Sequence, residues 1–415
     1  MSDAPTYGVP TDGAPTSGAP TGGDFLLERM PTARPHAPAS FGGAGPRPAY
    51  RAEAAFKIHG GCGLMGICDE SGALMPADLA VRAMAVQRDR GNGLGAGFAG
   101  YGIYPELPEH FCLHLMLHDE RAREEVEATL ERSFVIDQAE PIPTRHFGAG
   151  VEAPLLWRYF VLPDPHALET LEIGPEDLVV HTVMQINSSV DGAFVASSGR
   201  NMGAFKGVAF PEEIAHFYRL EEYEAHTWLG HNRFPTNTPG WWGGAHPFNL
   251  LDLSIVHNGE ISSYGINSRY LEQFGYKCSL GTDTEVIAYL FDLMLRRHGL
   301  PFELACDALA SPLWSEIDRL PPEERELKRS LRAVYGPAML NGPFAIVLGF
   351  SGGMVALNDR IKLRPLVAAR QGSRLMVASE ESSIREVLDA PDEVWAPRAG
   401  EPVIARVKGA SRVVG

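Results

Sequence analysis

The sequence predicts an α+β fold, and three observations carry that expectation. Apolar runs of strand length gather toward both ends of the stretch that follows residue 55. Helical periodicities lie between them, and the two do not alternate as regular β-α-β units. With 415 residues, 45% of them hydrophobic, the chain can bury one large core or two modest ones.

Residues 1–55 stand apart. Four five-residue units, beginning at Ala4, Val9, Ala14 and Ala19, repeat a Pro-Thr-x-Gly pattern. Such Pro/Gly/Thr repeats cannot build a core and are expected to form a disordered, solvated leader that processing can remove. From Phe56 the pattern changes. Ile58 to Ile67 reads as a strand, and Pro76-Ala77-Asp78 opens a helix with Pro in its tolerated first turn and Leu79, Ala83 and Val86 on one face. The glycine-rich run Arg90-Gly91-Asn92-Gly93-Leu94-Gly95-Ala96-Gly97 turns into a strand at Phe98 to Ile103. Gly91, Gly93 and Ala96 fit G-x-G-x-x-A, but the dinucleotide fingerprint needs a strand before it and a helix after it, which Gln87-Arg88-Asp89-Arg90 and Phe98 to Ile103 do not supply.

Phe111 to Leu117 alternates, with Cys112, His114 and Met116 opposite Leu113, Leu115 and Leu117. His114 and His118 would stand about 13 Å apart on such a strand, too far to share an ion. Further strands are expected at Val179 to Ile186, Ala225 to Gly230, Leu253 to His257, Phe344 to Phe350 and Arg374 to Ala378. Helices are expected at Glu120 to Glu131, Pro211 to Glu222, Asp283 to His298 and Pro322 to Tyr335.

A net charge of -16 argues against binding nucleic acid or an anionic membrane through bulk electrostatics. Five cysteines without a C-x-x-C pair fit neither a disulfide scaffold nor a zinc ribbon, and point to a reducing compartment. No apolar run reaches the roughly 18 residues of a membrane span, and the N-terminus lacks a secretory signal, so a cytoplasmic protein is expected.

Besides the glycine-rich run, four segments carry candidate chemistry. Cys62 sits at the compositional seam in Gly60-Gly61-Cys62-Gly63. A chain cut before it would pair a thiol with its own α-amine, whose pKa of about 7.7–8.0 suits it as the thiol's base. Arg233, in His231-Asn232-Arg233-Phe234 just past a strand, can fork onto a carboxylate. His257-Asn258-Gly259-Glu260 has the Asn-Gly signature of a tight hairpin, a turn that would aim the Asn258 amide and the Gly259 N–H at one oxyanion. In Gly281-Thr282-Asp283-Thr284-Glu285, Thr282 and Glu285 form a capping box, leaving the Asp283 carboxylate to hold an ammonium group or favour the helix dipole. Together these are the parts for acyl transfer from an α-amino acid amide.

Cys62-Gly63-Leu64-Met65-Gly66-Ile67, Arg90-Gly91-Asn92-Gly93, His231 to Phe234, His257 to Ile261 and Thr282 to Glu285 resemble the class II glutamine amidotransferases, which are N-terminal-nucleophile hydrolases. Arg233 to Thr238 with Ala245-His246-Pro247-Phe248 is most similar to the glutaminase domain of glutamate synthase, and Gly91 to Pro105 to its stand-alone, archaeal-type amidotransferase subunits. Leu340 to Ala345, Leu363-Arg364-Pro365-Leu366 and Ala378-Ser379-Glu380 extend the likeness to the C-terminus. The resemblance implies a four-layer α-β-β-α sandwich over residues 56–415, with a stretch at about 104–224 longer than in the simplest members. It also implies that Cys62 attacks the glutamine side-chain carbonyl with its α-amine as base, and that Asn258 and Gly259 bind the oxyanion. Arg233 would take the substrate carboxylate, Asp283 its ammonium, and Arg90 would orient the nucleophile. Asn92 stands where many members carry an acidic residue, and 61 residues precede a cysteine that should be first. No cofactor or metal is expected in this chain. A partner synthase subunit, with FMN and Fe-S centres for glutamate synthesis, would receive the ammonia. The alternatives are an N-methylglutamate synthase type complex or a non-catalytic glutamine-binding scaffold.

Overall fold

The computed structural model describes residues 61–146, 152–235 and 240–409. The expected leader, the start of the first expected strand and Thr236-Asn237-Thr238 lie outside the described residues.

The chain enters through β1 (Gly63–Asp69), α1 (Asp78–Ala85) and β2 (Ala96–Tyr101). It then builds a compact unit from β3 (Phe111–Leu117), α2 (Glu120–Leu130), β4 (Phe134–Pro141), β5 (Leu155–Pro163), α3 (Pro175–Ser189) and β6 (Ala193–Ser197). It returns through β7 (Met202–Gly207), α4 (Pro211–Phe217) and β8 (Thr227–Asn232). The second half runs β9 (Phe248–Leu250), β10 (Leu253–Gly259), α5 (Tyr264–Glu272), α6 (Asp283–Asp292), β11 (Phe344–Phe350), β12 (Gly353–Asn358), β13 (Val367–Gln371), β14 (Arg374–Ala378), α7 (Glu381–Val387), β15 (Glu393–Trp395) and β16 (Val403–Arg406).

Two antiparallel sheets lie face to face. One has seven strands in the order β15-β13-β14-β1-β8-β2-β7, and the other five in the order β9-β10-β11-β12-β16. Leu64 and Cys68 of β1, Leu229 of β8 and Val377 of β14 meet Val256, Val347, Met354 and Ala356 of the second sheet in one apolar layer. Gly66 is needed there, because a Cβ would stand 2.8 Å from both Met354 Sδ and Val347 Cγ1. The outer face of the larger sheet, with Met65, Ile67 and Trp228, packs on α1, α4 and α7. That of the smaller sheet, with Ile255, Ile346 and Leu348, packs with Val286, Ile287 and Leu290 of α6. The order of layers is helix, sheet, sheet, helix, as expected.

Residues 111–197 form a β-α-β-β-α-β unit with sheet order β4-β5-β3-β6, all neighbours antiparallel. This is a double split-βαβ arrangement. Leu113, Leu115 and Leu117 pack with Val126 of α2 and Val183 of α3, while Cys112 and Met116 on the opposite face join Phe205 of β7. That split matches the expected alternation.

Two local expectations are corrected. Val179 to Ile186 belongs to helix α3, with Pro175 in its first turn and Leu178, Val179, Thr182, Val183 and Ile186 buried. Helical spacing of these β-branched residues, packed against a sheet, overrides their strand preference. In α1 the buried stripe is Ala80, Ala83 and Met84, whereas Val86 is exposed. Among the described residues no helix is long and apolar enough to cross a membrane.

Candidate active site

Cys62 stands one residue before β1, and Gly63 is already paired with Asn232 of β8. Its sulfur lies beside the end of β8, where the Phe234 amide donates to Sγ at 3.3 Å. Arg90 grips the main chain on either side: its carbonyl accepts from Gly61 N at 3.2 Å and its Nε donates to the Cys62 carbonyl at 3.1 Å. Its guanidinium is held in turn by Glu380 at 2.7 Å. Burial pushes the Cys62 thiol up, against the opposing pull of the Phe234 amide and the Arg233 and Arg364 cations. A thiol so raised is protonated at neutral pH and needs a base before it can attack.

Cys62 opens on a cavity of about 200 Å³, whose other walls include Arg233, Gly259, Glu260 and Asp283. That is below the about 300–1,000 Å³ of drug-sized sites, and suits a small polar molecule. Arg233 is the first residue after β8 and is 7% exposed. Its amide donates to Gly95 O at 2.8 Å and its carbonyl accepts from Asn92 N at 3.3 Å, so the glycine-rich turn braces it. A Cβ on Gly91 would fall 1.9 Å from Asn232 Oδ1. These glycines let the turn close on the strand end, as a turn into a strand rather than a phosphate cradle.

Asp283 is the first residue of α6, with Thr282 as its N-cap. Its Oδ2 accepts from Ile261 N at 3.0 Å, and its Oδ1 lies 3.6 Å from His257 Nδ1. Burial acts to raise its pKa, but His257, the Ile261 N–H and Thr284 outweigh burial and hold the carboxyl at about 2. The cavity therefore contains a fixed anion opposite in charge to Arg233. Glu285 does not complete a capping box. It reaches back past the cap to accept from Ser279 N at 3.2 Å, Leu280 N at 2.9 Å and the Tyr289 hydroxyl at 3.1 Å. Burial pushes its carboxyl up to about 7, partly offset by these donors.

Asn258 and Gly259 do not form a hairpin turn. They end β10, opposite Ala345 and Phe344 of β11, and this long-range ladder displaces the local Asn-Gly preference. Gly259 has φ +150°, and a Cβ on it would stand 2.0 Å from the Pro343 carbonyl. Gly259 lines the cavity; Asn258 is buried and does not. The Asn258 Nδ2 donates to Ser379 Oγ at 3.5 Å, and the same oxygen accepts from Leu64 N at 3.1 Å, linking Asn258 to β1. Cys62, Arg233, Gly259 and Asp283 thus share one cavity, with Arg90 and Asn258 outside its lining.

Two features have no counterpart in the sequence expectations. His231, His246 and His257 form a buried column, with ring centroids 4.1 Å apart for the first pair and 6.4 Å for the second. His257 N donates to His246 Nδ1 at 3.2 Å, which places the His246 proton on Nε2 toward Thr284. Burial pushes His231 down to about 3 and His246 well below its ordinary value, so both are neutral. The second feature is Lys206, 1% exposed, whose Nζ donates to Gly243 O at 3.0 Å and Pro247 O at 2.9 Å. It holds the segment that carries His246. Its only sequence signal was a lysine inside an otherwise apolar strand.

Residues 178–395 match the family model described as glutamine amidotransferases class-II, a span with Arg233, Asn258, Gly259 and Asp283 but not Cys62 or Arg90. The chain is 48% identical over 355 residues to an "Uncharacterized protein" of Archaeoglobus fulgidus, covering 85% of this chain and 94% of that one. It is 27% identical over 338 residues to a "Putative glutamine amidotransferase" of Methanothermobacter thermautotrophicus, covering 80% and 95%. It is 26% identical over 222 residues to the glutamate synthase [NADPH] large chain of Bacillus subtilis, covering 49% of this chain and 14% of that one.

Proposed function

The chain belongs to the class II glutamine amidotransferases, and from that premise we propose that it hydrolyses glutamine at the Cys62 cavity and supplies ammonia to a synthase on a partner polypeptide. The observation that carries this reading is the meeting of a thiol, a buried guanidinium and a carboxylate held at about 2 in one small cavity. Glutamine offers a carboxylate for Arg233, an ammonium for Asp283 and a side-chain amide for the sulfur.

With its N-terminus freed, the Cys62 α-amine takes the thiol proton as sulfur attacks the amide carbon. The developing oxyanion is met by the Gly259 N–H and the Asn258 amide. Asn258 must give up its Ser379 contact to reach it, and at 3.5 Å that contact is long enough to be exchanged for a shorter bond to substrate. The proton then passes to the amide nitrogen, the C–N bond breaks, and ammonia leaves a γ-glutamyl thioester. Water adds to that thioester, the C–S bond breaks, and glutamate and the thiol are regenerated. Arg90 takes no part in proton transfer and fixes the Cys62 carbonyl.

For the acceptor we propose glutamate synthesis, with flavin and Fe-S centres on the partner. Supporting this are the Arg233 to Phe234 and Ala245 to Phe248 motifs and the 222-residue match to a glutamate synthase large chain. Intact-mass analysis of the purified protein, glutaminase assay and identification of the co-purifying subunit test the reading. A chain that begins at Cys62 and releases ammonia from glutamine supports it. A chain that keeps residues 1–61 and releases none overturns it.

A further inference from the structure

One cation beside the nucleophile has no part in this chemistry. Arg364 lies in the turn between β12 and β13, where Asp359 Oδ2 accepts from Leu363 N at 2.8 Å and Arg364 N at 3.4 Å. Among the described residues its guanidinium enters no ion pair, and its Nε is buried without a hydrogen-bond partner. Its Nη1 lies 3.8 Å from the point where a Cβ on Gly61 would stand, and Arg90 Nη2 lies 3.7 Å from the same point. The residue before the nucleophile is therefore flanked by two guanidiniums. Glu380 compensates the charge of Arg90 at 2.7 Å, while Arg364 has no such neighbour.

We propose that Arg364 keeps the α-amine of the freed Cys62 unprotonated at neutral pH, acting on the base through its charge and not by touching substrate. This rests on the glutaminase reading, because the amine exists only once residues 1–61 are gone. An ordinary α-amine, with a pKa of about 7.7–8.0, is mostly ammonium at pH 7 and cannot accept the thiol proton. A cation within about 4–6 Å disfavours the charged form. The groups arranged around this point are Arg90 after α1, Arg233 after β8, Arg364 with Asp359 in its turn, and Glu380 after β14. Glu260, Asp283, His246 and His257 line the cavity itself. Asp359 is buried and spends its oxygens on the amides of Phe344, Ile361, Leu363 and Arg364. With Glu380 paired to Arg90 and Asp359 engaged by backbone amides, the charge of Arg364 is left uncompensated beside the amine, which resists adding a proton to the neutral amine–thiol pair and leaves the proton transfer within the pair unhindered.

The test compares wild type with Arg364→Met, Arg364→Gln and Arg364→Lys, each with its N-terminus established by intact mass. The acid limb of kcat/KM for glutamine hydrolysis reports the free enzyme's base. It should move up by about one pH unit in Arg364→Met and Arg364→Gln and stay near the wild-type position in Arg364→Lys. In parallel, the pH dependence of α-amine acetylation by acetic anhydride reads the amine directly, and its midpoint should rise in the same two variants. If the limb and the midpoint stay in place, or fall, the proposal is overturned. If wild type releases no ammonia, the glutaminase reading fails, and the acetylation midpoint still decides the role of Arg364.

Discussion

The Phe234 amide points at the Cys62 sulfur across 3.3 Å, so the residue after Arg233 is tied to the proposed nucleophile. In the proposed mechanism, substrate recognition at Arg233 and attack by Cys62 thereby fall at the neighbouring ends of two paired strands. Replacing Cys62 by Ala removes the sulfur and leaves the β1–β8 ladder whole. Glutamine hydrolysis should fall to background while ammonia-dependent synthesis by the complex continues. Ammonia release and product formation, measured side by side, check this.

Arg233→Lys should not rescue Arg233→Met, because a point charge cannot fork onto a carboxylate. Both variants, and Asp283→Asn, should lower kcat/KM for glutamine by about 100-fold, a loss of about 3 kcal/mol typical of an unpaired buried charge. Steady-state kinetics with glutamine, and with glutamine analogues lacking the carboxylate or the ammonium, identify which contact each residue makes.

Asn258→Ala should lower kcat by about 10²–10³ with little change in KM, the signature of a donor used only in the transition state. Gly259→Ala should instead lose folded protein, since its Cβ would meet the Pro343 carbonyl at 2.0 Å. Thermal melts separate the two effects.

The two carboxyls of α6 give opposite pH dependences of stability. Asp283, held at about 2 against an ordinary 3.8, contributes stability that is present above about pH 4 and lost as pH falls through about 2. Its worth is on the order of 2 kcal/mol. Glu285, raised from 4.5 to about 7, contributes stability that is full below about pH 4.5 and lost as pH rises through about 7, on the order of 3 kcal/mol. Glu285→Gln should flatten the neutral side of the stability profile, and Asp283→Asn the acid side. Denaturant titrations from pH 2 to 8 check both.

Lys206→Met should leave the Gly243 and Pro247 carbonyls buried without their donor, at a cost of about 1–3 kcal/mol. Because that segment carries His246, KM for glutamine should rise together with the drop in melting temperature.

Much of this was legible from local pattern. The α+β class followed from apolar runs of strand length such as Phe111–Leu117 and Phe344–Phe350, whereas the order of the layers was implied by the family resemblance. Arg233 and Asp283 could be found because a strand end and a helix start are written in adjacent residues. What escaped depends on partners that the local pattern does not name. Asn258-Gly259 signals a turn until Phe344 arrives to pair with it, and Glu285 signals a cap until Ser279 and Leu280 fold back over it. The Val179 to Ile186 segment was misread because β-branched residues satisfy both periods over so short a run, and only the cap at Gly174 with Pro175 decides.

The pairing of Gly63 with Asn232 works as a ruler for the chemistry. Cys62 and Phe234 extend from the same two paired strands, so the distance between sulfur and amide is set by counting residues along a ladder and not by the shape of a loop. Side chains alternate along such a ladder, so one residue inserted between Cys62 and Gly63 would turn the thiol toward the opposite face of the sheet. Point substitutions around the cavity can be absorbed by small shifts, but a change of spacing by one cannot.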